Sequence, residues 1–272
     1  MRTLTPLWSA MLLATVCSQA HAMNLSEAIQ STLDNHPEIH AAANSRLSSD
    51  EDVKFAKGGY LPTVDLLVGY GREQTDSPST RALGDHNKET LNYRDAELRL
   101  RQMLFDGFNT PNEVARTEAV VNSRAYRLLG TSESLALRTV EVYLDVLKRR
   151  EMVTLAENNL QAHQRIHDQI RLRSERGVGS TADLDQSEAR LALAQNNLYT
   201  EQVNLADAEA NFFSAIGRMP DELVSPASLK GSLPESLTDA RQAVLDNNPY
   251  LKSAQADVQA AEKQYEVAKS SF

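Results

Sequence analysis

The sequence predicts a mainly α fold with a membrane β-hairpin, on three observations. Apolar residues recur seven apart through the middle of the chain. Two short segments before it alternate apolar and polar residues. A stretch near the start recurs near the end, the mark of a duplicated unit.

Residues 1–22 read as an export signal. Arg2 supplies the positive start, residues 7–16 an apolar core and Ala20-His21-Ala22 a small-x-small cleavage site, so the mature chain begins at Met23. The apolar run falls short of the ~20 residues that span a bilayer as a helix. Acylation of Cys17 is disfavoured because Val16 is bulkier than the small residue such processing takes. Cleavage removes Cys17 and Trp8, the one cysteine and one tryptophan, and takes the formal charge from −9 to −10. Without a thiol there is no disulfide framework, thiolate metal site or cysteine nucleophile, and packing must supply the stability. With 37 acidic against 28 basic residues the chain lacks the cationic surplus of a phosphate-backbone binder, and no nucleic acid is expected.

Residues 25–57 carry apolar side chains three or four apart and read as an amphipathic helix interrupted near Pro37 and ended by Gly58-Gly59. From Thr63 the period becomes two. Val64, Leu66, Val68 and Tyr70 share one face, with Thr63, Asp65, Gly69 and Gly71 mainly on the other. A polar stretch, residues 74–90, contains Pro78, Gly84 and Asn87; then Ala96, Leu98 and Leu100 alternate with Glu97, Arg99 and Arg101. On the strands alone a half-buried hairpin in a soluble domain is the favoured reading over a barrel wall with one side toward lipid, because the barrel signal is weak per segment. The export signal and the repeat turn the reading toward the barrel, with Val64, Leu66, Val68 and Tyr70 facing lipid.

Pro111 suits the first turn of a helix that continues, with Gly130 its one glycine, to about Glu175. Val114, Val121, Leu128, Leu135 and Val142 stand seven apart, as do Leu184, Leu191, Leu198, Leu205 and Phe212 on a return helix. Sustained sevens mean helices wound around neighbours. Between the two helices, Gly177-Val178-Gly179-Ser180-Thr181-Ala182-Asp183 can close a tight reversal, with Ser180 or Thr181 capping the return helix. After Phe213 come Gly217, Pro220, Pro226, Gly231 and Pro234, a connector. Leu237-Thr238-Asp239-Ala240 and Leu245-Asp246-Asn247-Asn248-Pro249 then repeat Leu25-Ser26-Glu27-Ala28 and Leu33-Asp34-Asn35-His36-Pro37 in one register, which Ala56-Lys57 and Ala268-Lys269 continue.

Local stretches carry a further likeness. Tyr60-Leu61-Pro62 stands at the entry to the first strand and Leu104-Phe105-Asp106-Gly107 at the exit from the second. Arg176-Gly177-Val178-Gly179-Ser180 with Asp183-Leu184 forms the hairpin tip, and Ile216-Gly217-Arg218-Met219-Pro220 follows the return helix. In this order they resemble the TolC family of outer-membrane export channels over essentially the whole mature chain, nearest to the branch associated with type I secretion and adhesin or agglutination proteins. The domains expected are a signal peptide, 1–22; a first TolC-type repeat, 23–235, with its strands in 61–105, helical hairpin in 111–215 and connector in 216–235; and 236–272, the start of a second, truncated repeat.

The resemblance implies long antiparallel coiled-coil helices of an α-barrel and two transmembrane strands per repeat. In the complete protein these would assemble as a homotrimer, with its strands in outer-membrane lipid and its helices in the periplasm. It implies a passive conduit for efflux or type I secretion, joined to a periplasmic adaptor (a membrane fusion protein) and an inner-membrane pump or ABC transporter, without a cofactor. By position, Gly177, Val178, Gly179, Ser180 and Thr181 are adaptor-contact candidates and Asp183 a gate candidate, although turn geometry explains the glycines in any case. A family subunit has two complete repeats, whereas this chain reaches residue 272 where its first repeat has Gly58-Gly59-Tyr60, so alone it is expected to make no pore.

An enzyme is not expected. His163 and His167 are four apart, but Gln164-Arg165-Ile166 lacks the glutamate of a zinc protease motif, and an exposed polar face accounts for them. Glu133, Glu141, Asp145 and Glu151 read as solvated helix charges, since nothing gathers them into a pocket. The alternative is a periplasmic coiled-coil adaptor, itself a helical-hairpin protein.

Overall fold

The structure, a computed structural model, describes residues 23–82, 89–228, 231 and 233–270. The export signal with Arg2, Cys17 and its cleavage site, and Gly84 and Asn87 of the polar stretch, lie outside the described residues. In chain order the elements are α1 (Leu25–Asn35), α2 (Pro37–Lys57), a 3-10 turn (Gly58–Tyr60), β1 (Thr63–Thr75), α3 (Pro78–Ala82), β2 (Glu89–Arg101), α4 (Asn109–Glu175), α5 (Thr181–Ile216), α6 (Leu237–Asn247) and α7 (Pro249–Lys269). They fall into two compact units, one from residues up to Pro37 with Ser132–Leu233, the other from Glu38–Thr131 with the residues from Pro234 on. The 67-residue helix α4 contributes to both.

In the first unit α1 opens on a capping box. Asn24 Oδ1 accepts from the Glu27 backbone N–H, and Glu27 Oε2 accepts from that of Asn24. The helix stops before Pro37, as the fixed proline ring demands. The core gathers Met23, Ala28, Val142, Tyr143, Val146, Ala208, Phe212 and Ile216, with Leu205 and Leu223 packed against it. Met23 forms a short parallel bridge to the connector, its N–H donating to Glu222 O (2.8 Å) and its carbonyl accepting from Val224 N (3.2 Å). The fully buried Tyr143 locks the same place, its hydroxyl 2.8 Å from Met23 O and 2.6 Å from Val224 O. Beside it the buried hydroxyls of Thr139 and Thr32 lie 2.9 Å apart. Arg150 donates to Asp221 O (2.7 Å) and Pro220 O (2.8 Å), so one guanidinium holds the connector against α4.

Contacts in the second unit are made by small side chains. Thr117, Ala119 and Ser123 of α4 and Ser253, Ala256 and Ala260 of α7 are buried, and Ser123 Oγ lies 3.0 Å from Ser253 Oγ. The sevens on α4 do not all mark its deepest seam: Val114, Val121 and Leu128 are only half-buried, while Val142 is buried. Small residues let the helices approach closely enough to leave those larger side chains at the margin. Gly130 shows the same constraint, because a Cβ there would sit 2.8 Å from the Tyr250 ring.

The strands run further than their alternation predicts, 13 residues each, because ladder hydrogen bonds continue through the polar ends at Arg72–Thr75 and their partners. The exit from β2 turns through Gly107 and Phe108, both at positive φ (67° and 68°). A non-glycine residue seldom takes that conformation. Here Asp106 fixes it, accepting from the Thr110 N–H at 2.7 Å and from the Thr110 hydroxyl, while the Phe105 and Phe108 rings meet edge-on at 5.4 Å. The Thr110 hydroxyl and, after it, the Thr110 N–H hold the Asp106 carboxyl below its ordinary pKa.

The helix pairs α1–α2 and α6–α7 match in length, 11 and 21 residues in each, and each pair breaks before a proline. The recurring sequence thus has a recurring backbone.

Burial pushes the Tyr143 phenol above its ordinary pKa. The folded state then keeps a proton that the unfolded state loses, so stability should fall as pH rises past about 10. Tyr143→Phe should lower stability by about 1–3 kcal/mol at neutral pH and remove that alkaline contribution, read by urea unfolding across a pH series.

Candidate functional site

Two surfaces carry the residues singled out in the sequence. On the first, β1 and β2 pair antiparallel from Thr63↔Arg101 to Thr75↔Glu89. The register sets Val64 opposite Leu100, Leu66 opposite Leu98 and Val68 opposite Ala96, and residues directly opposite share a face. Val64, Leu66, Val68 and Tyr70 are 60–74% exposed, so the ladder presents an uncovered apolar face. Asp65, Asp95 and Glu97 lie on the other face, which Leu67 joins as an apolar exception. The two strand glycines make room for partners across the ladder: a Cβ at Gly69 would meet the Asp95 carboxylate, and one at Gly71 the Tyr93 ring.

The second surface is the reversal between α4 and α5, which run antiparallel as the glycines between them predict. His167 Nδ1 lies 3.1 Å from Ser187 Oγ, Arg149 is paired with Glu201 (3.6 Å) and the Tyr143 and Phe212 rings are 6.4 Å apart. On α5 the buried positions are Ser187, Ala194, Ala208, Phe212 and Ile216; the first three each stand three after one of the leucines in sevens, and Phe212 is itself one of the sevens.

At the tip α4 ends in a Schellman motif. Gly177 takes a left-handed φ of 74°, its N–H donates to Ser174 O (2.9 Å), and the Val178 N–H donates to Arg173 O (3.0 Å). Ser180 caps α5, its hydroxyl oxygen accepting from the Ala182 N–H at 3.2 Å, and Thr181 is the first helical residue. Gly179 presses on the end of α4, since a Cβ there would sit 2.9 Å from Ser174 N. Gly177, Val178, Gly179, Ser180, Thr181 and Asp183 are all exposed, Val178 to 69%.

Asp183 stands in the first turn of α5, where the helix dipole favours a carboxylate. It forms no ion pair with any described residue. It lines a groove of about 310 Å³ between the two helices, with His163, Ile166, Ile170, Arg173 and Arg190 also on its wall. The cationic side of that groove was missed in the sequence, because Arg173 and Arg190 lie apart along the chain and meet only once the reversal is closed. His163 and His167 gather no metal site: among the described residues no three His, Cys, Asp or Glu side chains stand close enough to hold an ion. No described helix is long and apolar enough to cross a membrane.

A family described as outer membrane efflux proteins matches residues 28–218. The chain belongs to it. Among its relatives, the outer membrane efflux protein BepC of Brucella suis is 29% identical over 237 residues, covering 87% of this chain and 50% of BepC. The alkaline protease secretion protein AprF of Pseudomonas aeruginosa is 25% identical, covering 100% of this chain and 57% of its own length. Among solved structures the Campylobacter jejuni outer membrane channel CmeC shares the fold, with a TM-score of 0.77 at 16% identity over 91% of this chain and 53% of CmeC. The chain spans about half the length of the curated relatives it matches. Membership assigns the chain to the outer membrane, with its helices in the periplasm.

Replacing Gly177 by alanine forces a side chain into the left-handed region, at a cost of about 1–2 kcal/mol. Gly177→Ala should therefore raise amide exchange locally, over residues 172–184, while the Tyr143 core keeps its protection; hydrogen exchange read by mass spectrometry checks this.

Proposed function

We propose that this chain forms an outer-membrane channel subunit of an efflux or type I secretion system, a passive conduit rather than an enzyme. The observation that carries the reading is the two-stranded ladder, whose apolar face is in register and uncovered. In lipid every strand edge must be paired, so two strands are stable there only as part of a closed barrel. Copies of the chain supply the remaining strands, as a homotrimer in the complete protein. Exposed apolar residues along α4 and α5, such as Leu137, Leu155, Leu193 and Val203, are where helices of neighbouring copies pack. The equal helix pairs support reading 23–235 as a first repeat and 236 onward as the start of a second. BepC and AprF are named as efflux and secretion proteins, which favours the channel over the coiled-coil adaptor.

The hairpin tip is the contact for a periplasmic adaptor that links the channel to an inner-membrane pump or ABC transporter. Exposed Gly177, Val178, Gly179, Ser180 and Thr181 offer backbone and a small apolar knob to such a partner. Asp183 holds the entrance closed.

Arginine at a mid-bilayer lipid-facing position costs ~2–4 kcal/mol, more than at a lumen-facing one. In the full-length gene product Leu66→Arg should therefore abolish outer-membrane recovery of assembled protein, while Asp65→Arg leaves it near normal, read by membrane fractionation and semi-native electrophoresis. Equal effects would count against the barrel.

At the tip, Val178→Asp should weaken cross-linking to the adaptor and export while leaving assembly intact, and Asp183→Ala should raise single-channel conductance or antibiotic leakage. Normal export by the first and unchanged conductance in the second would leave the tip a mere turn.

A further inference from the structure

We propose that Arg72 and Arg94 form a binding site for the phosphate of an outer-leaflet lipid, at the rim of the strand ladder nearest the β1–β2 loop. The inference rests on reading β1 and β2 as barrel strands whose helical side is periplasmic.

Charge is segregated on the ladder. The face that carries Val64, Leu66 and Val68 continues through Tyr70 and Arg72 on β1, and through Ala96, Arg94 and Asn92 on β2. By the register this face has no carboxylate anywhere along it; Asp65, Glu73, Asp95 and Glu97 all lie on the other. Its charged side chains are the two arginines, both at the loop end. They are placed but not neutralised: Arg72 Nε donates to Asn92 Oδ1 at 3.3 Å, and Arg94 Cζ lies 5.9 Å from the centre of the Tyr70 ring. Arg99 on the other face, by contrast, is paired with Glu97 at 2.9 Å.

Arg94 stands opposite Tyr70 and Arg72 opposite Asn92, so the arginines are diagonal neighbours on one face. Diagonal positions lie ~7–8 Å apart, within which two long side chains converge on one anion. Guanidinium is the group best suited to a phosphate, which it can hold through two parallel hydrogen bonds.

Depth selects the anion. At the periplasmic end exposed Tyr60 and Leu61 precede β1, and exposed Leu104 and Phe105 follow β2. From Leu61 to Tyr70 is about 30 Å of extended chain, or about 23 Å of height at the ~40° tilt of barrel strands, close to the ~25 Å apolar band such barrels carry. Tyr70 then stands at the interface as an aromatic anchor, and the arginines reach the headgroups, where a charge is cheap. A free anion needs only the arginines. A phospholipid or phosphorylated glycolipid also fills the apolar stripe below them with its chains, so the lipid is the ligand.

The test uses the full-length gene product with any native cysteine replaced by serine and Ser79→Cys added in α3. Protein is extracted from outer membranes in mild detergent, and native mass spectrometry counts retained phosphorylated lipid. Arg72→Gln with Arg94→Gln should reduce retention about tenfold or more. Arg99→Gln with Arg101→Gln, on the other face, should change it less than about twofold. Delipidated parent should take up lipid A carrying both phosphates and not its dephosphorylated form. Undiminished retention in the first pair, or equal loss in the second, overturns the site. Displacement of lipid A by millimolar inorganic phosphate makes it a free-anion site and overturns the lipid assignment. Labelling of the introduced α3 thiol on intact cells with a membrane-impermeant maleimide separates the two readings. Labelled protein that binds no lipid overturns the site and leaves the channel standing, whereas unlabelled protein overturns the strand orientation on which the site depends.

Discussion

Hydrogen bonding at the outer edges of two strands governs much of what this chain must do. Among the described residues each of β1 and β2 pairs along one edge only, over 13 residues, and the other edge presents its N–H and C=O groups to whatever lies beside it. In water such an edge invites aggregation, and in lipid an unpaired amide is costly enough to forbid the arrangement. The apolar face removes the aqueous option, because a side of Val, Leu and Tyr without cover is unfavourable there. Both faults are cured together when strands of several copies close on one another in a membrane.

The helices meet a different demand with different residues. Long helices need contacts along their whole length, and in the second unit the buried contacts use Ala, Ser, Thr and Gly, so backbones come close and larger residues remain at the margins. A seam of large side chains would bury more area within one chain and leave less for its neighbours. Cohesion in the first unit is concentrated instead at Tyr143 and Arg150, which bind backbone carbonyls of the connector and of Met23.

These features were unequally legible in the sequence. Pro37 and Pro249 mark their helix breaks, Gly177 and Ser180 mark the reversal, and the alternation of Val64, Leu66 and Val68 with Leu98 and Leu100 fixes a register that pairs like with like. Each is a local signal, from backbone geometry or from a period. The ends of the strands were illegible because polar residues such as Arg72 to Thr75 are held by main-chain bonds that need no apolar pattern. The tyrosine and arginine ties were hidden for a related reason: their acceptors are carbonyls, which every residue possesses. The small-residue seam was masked by the larger leucines and valines in sevens beside it, and the arginines of the tip groove by their distance along the chain.

The ties that close each unit join residues far apart in the chain: 120 positions separate Tyr143 from Met23, 130 separate Ser123 from Ser253, and 161 separate Asn109 from Ser270. Contacts of such separation form slowly, since a long loop must be ordered before they offer any return. Neither core can close while the later part of the chain is still being synthesised. On the reading of residues 1–22 as an export signal, a slow-closing topology leaves the chain open for longer while it is being exported.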